Sequence, residues 1–144
     1  MFKQQQSEIA AELARSAISF TRVSWVHVND NDQALFVYSS KFELLHEPGG
    51  KLILDQKDEE TLAQKVLRDL QVRLIPETIE WWFSFKAQAD GMPDGVRMKT
   101  RCFKAQFEGI LGPNARWLGT GGKHRTTESG SMFIQRLFYN GIVG

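Results

Sequence analysis

Cys102 is the only cysteine among 144 residues, so no internal disulfide can form and nothing argues for an oxidising compartment. The three histidines, His27, His46 and His124, have no metal-site spacing, and with one cysteine beside them a zinc cluster is excluded. Long apolar runs are also missing. No stretch has the length of a membrane span, and the opening Met-Phe-Lys-Gln-Gln-Gln-Ser-Glu lacks the apolar centre of a signal peptide. A cytoplasmic protein away from membranes is therefore expected. Neither charge sign dominates: a net charge of +1 gives no global pull toward nucleic acid or anionic lipid and leaves only local patches. With no repeat and no low-complexity linker, residues 1–144 read as a single domain.

The hydrophobic fraction of 42% is enough for one core. Ile9, Ala10, Leu13, Ala14, Ala17 and Ile18 recur at helical spacing, which predicts an amphipathic helix within residues 1–20. Its stripe would cover the domain or a partner, and a homodimer is one such arrangement. Arg22 to Val28 and Ala34 to Tyr38 read as strands joined by Asn29-Asp-Asn-Asp32, hence as a hairpin. After Pro48-Gly49-Gly50, the residues Leu62, Ala63, Val66, Leu67 and Leu70 predict a second helix, with Asp55 or Asp58 as its cap. Pro76 stops it. Trp81, Phe83, Phe85 and Ala87 alternate with polar positions as in a half-buried strand, with Trp82 the exception on the polar phase. Residues 90–95 form a loop, Val96 to Phe107 a returning strand, and Phe133 to Phe138 a closing helix ending near Gly141. Cys102 reads as a buried small hydrophobe. Together these elements predict an α/β fold, a mixed sheet with helices packed against it.

The segment from Pro48-Gly-Gly-Lys51 to Val72 resembles the Nudix hydrolase signature, G-x(5)-E-x(7)-R-E-U-x-E-E-x-G-U with U aliphatic, aligned without a gap on Gly50. Similarity extends to the strands on either side and to Cys102-Phe-Lys-Ala-Gln-Phe-Glu-Gly109, about residues 22 to 140 in all. The resemblance implies an α/β/α sandwich and, in ordinary members, glutamates on one helix face that hold Mg²⁺ or Mn²⁺ against a diphosphate. In this chain those three positions are Lys65, Arg68 and Asp69. The earlier glutamate is Gln56, the arginine Gln64 and the late glycine Gln71. Gly112-Pro-Asn-Ala-Arg116 also lacks the downstream acid of many members.

Two cations and one carboxylate make a poor site for Mg²⁺, which demands several oxygen ligands. The expectation is thus a Nudix-like domain without a resident metal, weakly catalytic or not at all, that binds a nucleotide or another phosphorylated ligand or a partner protein. Gly50, Lys65, Arg68 and Asp69 are the candidate ligand-binding residues. Lys65 and Arg68 read either as a solvated helix face or as direct anion contacts, and Asp69 as an ion-pair partner of Lys65 at i+4. Arg97, Lys99 and Arg101 alternate on one strand face and join the candidates, as an outer polar face or a phosphate-facing stripe. The alternatives are a Mg²⁺- or Mn²⁺-dependent hydrolase using Glu59, Glu60, Glu108 or Glu128, and a structural partner protein docking through the N-terminal helix. The run Gly119-Thr-Gly-Gly-Lys-His-Arg125 does not meet the pattern of a Walker A loop.

Overall fold

Successive residues of strand β2 (Ala34–Ser39) enter two different hydrophobic clusters, Ala34 and Phe36 on one side, Leu35 and Val37 on the other. A strand buried on both faces must lie in the middle layer of a sandwich. The computed structural model describes residues 18–88, 95–119 and 125–141. In chain order the remaining elements are β1 (Ile18–Trp25), β3 (Leu44–His46), β4 (Gly49–Lys51), α1 (Asp58–Leu70), β5 (Arg73–Leu74), a 3₁₀ turn at Pro76–Thr78, β6 (Glu80–Gln88), β7 (Arg97–Lys104), β8 (Phe107–Glu108), β9 (Ala115–Leu118) and α2 (Glu128–Tyr139).

The largest sheet runs β4-β1-β7-β6, with β1 and β7 parallel and the other pairs antiparallel. A second sheet runs β3-β2-β9, and β5 pairs with β8. Helix α1 packs its Leu62, Val66 and Leu70 against Val23, Trp25, Val37 and Phe103 on one face. On the other face α2 packs Phe133 and Leu137 against Val26, Phe36, Phe85 and Cys102. The expected α/β/α sandwich with a mixed sheet is the observed one.

Several elements differ from the sequence reading. Ile18, Ser19 and Phe20 belong to β1, not to the N-terminal helix, and residues 1–17 lie outside the described residues. The loop at 90–95 is likewise outside them, apart from Gly95. Strands β1 and β2 do not form a hairpin. The turn at Asn29 does reverse the chain, and Val28 bridges Ala34, but β1 then pairs with β4 and β7 while β2 pairs with β3 and β9. In β6 a register shift between Trp81 and Phe83 breaks the alternation. Trp81 is consequently exposed, while the half-buried Trp82 packs against the α2-side core with Lys104 Nζ 3.7 Å above its ring. Cys102 is fully buried, and burial first, then the charge of Glu47, holds its thiol well above the ordinary range.

A buried polar tie joins the β3–β4 turn to α2. Glu47 has no exposed surface; its Oε1 accepts a hydrogen bond from Ser129 Oγ and lies 3.5 Å from Arg22 Nη2. Thr127 caps α2 by accepting from the Gly130 N–H at 2.9 Å. A Cβ at Gly130 would approach Phe36 to 3.1 Å and Glu47 Oε2 to 3.4 Å. The small residue therefore gives the carboxylate its place at the helix start, where the dipole favours it.

Replacing Arg22 by Met should strand the Glu47 carboxylate without an opposite charge, a loss of about 3–5 kcal/mol. Glu47→Gln should lose less, because the amide can keep the Ser129 contact, and Arg22→Met with Glu47→Leu should recover most of the stability. Urea midpoints of the three variants measure the order; an Arg22→Met protein as stable as wild type would contradict it. A second expectation concerns pH. His27 stacks on Trp25 at 4.9 Å and meets Phe107 at 5.1 Å, and burial lowers its pKa from the ordinary 6.5. The unfolded chain therefore takes up this proton first, so stability is full above about pH 6.5 and falls as the pH drops below it. Between pH 7.5 and 5.5, His27→Gln should lose less stability than wild type.

Candidate functional site

Helix α1 begins where Asp58, Glu59 and Glu60 meet the positive end of its dipole. Its N-cap is Lys57, which makes no side-chain cap. Neither Asp55 nor Asp58 caps it: Asp58 is the first helical residue, and its carboxylate is held bidentately by Arg101, with one contact at 2.6 Å. That hydrogen bond is the main cause of a raised Arg101 pKa.

The positions that resemble the Nudix box have settled into contacts of their own. Gln56 Nε2 donates to Gln64 Oε1 at 3.1 Å, and Thr61 Oγ1 donates to Gln56 Oε1 at 2.8 Å. Gln71, where the signature has glycine, caps the helix C-terminus in the left-handed region at φ 61°. For a residue with a Cβ this conformation costs about 1–2 kcal/mol. Asp69 does not pair with Lys65. Its two oxygens accept from Arg68 Nε and Nη2, both at 2.7 Å, and the Arg68 pKa is raised chiefly by this hydrogen bonding. Adjacent residues can meet here because the long arginine folds back, which the i+4 expectation did not consider.

Above α1 and β4 lies a cleft of about 610 Å³. One wall is β4 and α1, with Gly49, Gly50, Lys51, Lys65 and Arg68. Gly50 is tight against Lys65, whose Cδ would sit 3.2 Å from a Cβ at that position. The lysine stem thus lies across the glycine. The other wall is the turn before β3, β3 itself and the segment entering α2, with Ser39, Phe42, Leu44, His46, Arg125 and Thr127. Arg22 of β1 completes the lining. Among the described residues five cationic side chains line the cleft and no carboxylate does.

The structure brings Gly50, Lys65 and Arg68 together in this cleft, with Asp69 behind Arg68. Arg97, Lys99 and Arg101 are not on its walls. Arg101 meets Asp58 on α1, which places its side chain on the α1 side of β7, while Arg97 at the start of the same strand is exposed. Arg22, Phe42, Lys51 and Arg125 escaped the sequence reading, as did Glu47 behind Arg22. For two of them the sequence held a faint signal, a charge close to an apolar core residue, Arg22 beside Val23 and Glu47 two positions after Leu45.

These residues do not fit a divalent cation. No group of three or more His, Cys, Asp or Glu side chains that could hold a metal exists among the described residues. The one carboxylate on the relevant helix face is already taken by a guanidinium. Glu59, Glu60, Glu108 and Glu128 are exposed, and none lines the cleft. Among the described residues no helix is long and apolar enough to cross a membrane.

No family model and no curated protein matches the sequence. Solved structures do. A MutT Nudix hydrolase from Burkholderia pseudomallei is 13% identical, with 82% of this chain and 97% of that one covered at a TM-score of 0.64. A Nudix hydrolase from Nitrosomonas europaea is 16% identical, with 86% and 90% covered and a TM-score of 0.62. A bifunctional NMN adenylyltransferase/ADP-ribose pyrophosphatase from Francisella tularensis, complexed with AMP and a manganese ion, is 14% identical over 96% of this chain and 46% of that one, at a TM-score of 0.57. Identities this low speak for architecture and not for activity. On that ground, and on the layers and topology above, the fold of this chain is the Nudix fold.

Proposed function

We propose that this Nudix-fold domain binds a phosphorylated ligand, a nucleotide diphosphate in the first instance, through side-chain cations without a divalent metal, and that it has little or no hydrolase activity. The carrying observation is the lining of the cleft: among the described residues Arg22, Lys51, Lys65, Arg68 and Arg125 line it and no carboxylate does, the partners of Arg22 and Arg68 (Glu47 and Asp69) lying behind the wall. Guanidinium groups meet phosphate oxygens bidentately and ammonium groups meet them as point charges. Lys65 suits this role because its stem is packed on Gly50 while no carboxylate among the described residues neutralises it. Arg68 is oriented by Asp69, as a bidentate contact fixes the plane of its fork. The hydrolase alternative would need carboxylates that surround a common point. Glu59, Glu60, Glu108 and Glu128 offer none on the cleft walls, so no observation favours it.

ADP titrated into the protein in EDTA should bind, and the affinity should fall as salt is raised, because the contacts are ionic and partly exposed. Lys65→Glu with Arg68→Glu should weaken it at least about tenfold, given the strength of charge-assisted contacts. Equal affinity of the two proteins would mean that these cations are merely solvated, and the reading would fall. Mg²⁺ or Mn²⁺ added to the wild type in a calorimeter should give only weak, nonspecific heats. Stoichiometric uptake that disappears in Asp69→Ala would defeat the proposal from the other side.

A further inference from the structure

The two walls of the cleft differ in chemistry. The β4–α1 wall offers two glycines and the cations Lys51, Lys65 and Arg68, and nothing apolar beyond their stems. The opposite wall carries one cation, Arg125, and adds Phe42 and Leu44, with His46 and the hydroxyls of Ser39 and Thr127. Phe42 is 61% exposed, an expensive place for a phenyl ring. Of the exposed large apolar side chains among the described residues, it alone lines the cleft; Leu54, Leu67, Trp81, Ile110, Phe138 and Tyr139 lie elsewhere.

Its position is set by the backbone. The Phe42 N–H donates to Ser39 Oγ at 3.4 Å across the turn. The next residue, Glu43, has φ 52°, a left-handed conformation uncommon for a residue other than glycine. This turn places Phe42 in the lining of the cleft. Its only ring contact among those resolved is the ammonium of the exposed Lys41, 5.2 Å from the centroid. A water-exposed contact of this kind is weak and leaves the ring available to a ligand.

Resting on the function proposed above, we infer that Phe42 is a specificity-determining residue that stacks on a planar ring of the ligand while the phosphates lie on the Lys51–Lys65–Arg68 wall. A ligand that is anionic at one end and flat and apolar-faced at the other matches both walls. A sugar phosphate or an inorganic polyphosphate would satisfy the cations and leave Phe42 without a partner. Every nucleobase has a π-face, so stacking of this sort favours nucleotides over other phosphate esters without choosing strongly among bases.

The test compares AMP with ribose 5-phosphate, which share the phosphate and sugar and differ in the base, in EDTA and at fixed low salt. Inorganic pyrophosphate reports on the cations alone. Wild type should bind AMP about tenfold or more tighter than ribose 5-phosphate, the increment typical of one stacked base. Phe42→Ala should remove that advantage and leave ribose 5-phosphate and pyrophosphate unchanged, while Phe42→Trp should retain it. Phe42 is exposed, so neither variant disturbs the core, and unchanged pyrophosphate binding confirms an intact cleft. Equal binding of AMP and ribose 5-phosphate by wild type would overturn the inference. So would an advantage that survives in Phe42→Ala, or a substitution that weakens all three ligands alike. Pyrophosphate binding without base discrimination sinks the role of Phe42 alone. Failure of all three ligands to bind the wild type sinks the anion-binding cleft and this inference with it.

Discussion

Strand β4 approaches β1 so closely that a Cβ at Gly49 would lie 1.9 Å from the Val23 carbonyl oxygen, and Gly49 itself has φ +134°. No other residue meets both demands. The approach is fastened by the Trp25 N–H to the Pro48 carbonyl at 2.9 Å and by the pairing of Val23 with Gly50. Elements on both sides of the cleft are placed from this contact. On one side it sets Gly50 beneath the Lys65 stem; on the other it turns Glu47 inward toward Arg22 and the start of α2. A larger residue at position 49 would move both walls at once.

The charge pattern of the cleft follows from which groups have been satisfied internally. Gln56 and Gln64 face each other as neutral amides, Asp69 is held by Arg68, and Asp58 by Arg101. With Arg22 set against Glu47 and Arg68 against Asp69, what remains at the cleft is the positive charge of Lys51, Lys65 and Arg125, whose members repel one another. Like charges gathered around one opening cost the folded state some stability, and an anion bound there relieves that cost. A ligand that binds only the folded form raises apparent stability by mass action, so the same cations that load the free protein would reward occupancy.

The parts of this fold that were legible in the sequence are those governed by local periodicity. Helix α1 could be read because Leu62, Val66 and Leu70 fall on one face, and the whole signature-like segment aligned on Gly50. Pairing between strands could not be read in this way. The Asn29–Asp32 turn looked like a hairpin turn and reverses the chain, yet the strands it joins enter different sheets. At Trp81 the alternation pointed inward, and a bulge turned the ring out. The stripe Arg97–Lys99–Arg101 was visible, but the side of the sheet taken by Arg101 depended on Asp58, 43 positions away. Glu47 was harder still. Its hydroxyl partner Ser129 is 82 residues away, so no local pattern could distinguish it from an exposed acid.

The central position of β1 has a consequence for how the chain assembles. Its parallel partner β7 lies far along the sequence, and the Trp25 indole N–H donates to the Ala105 carbonyl across 80 residues. Parallel pairing over such a separation requires a large loop to close first, which makes it slow. At synthesis rates of about 5–20 residues per second, Trp25 leaves the ribosome roughly 4–16 seconds before Ala105 does. During that interval Val23 and Trp25, both fully buried in the finished protein, have no sheet on that side to enter. The nascent chain therefore carries Val23 and Trp25 uncovered on that side until β7 has been made.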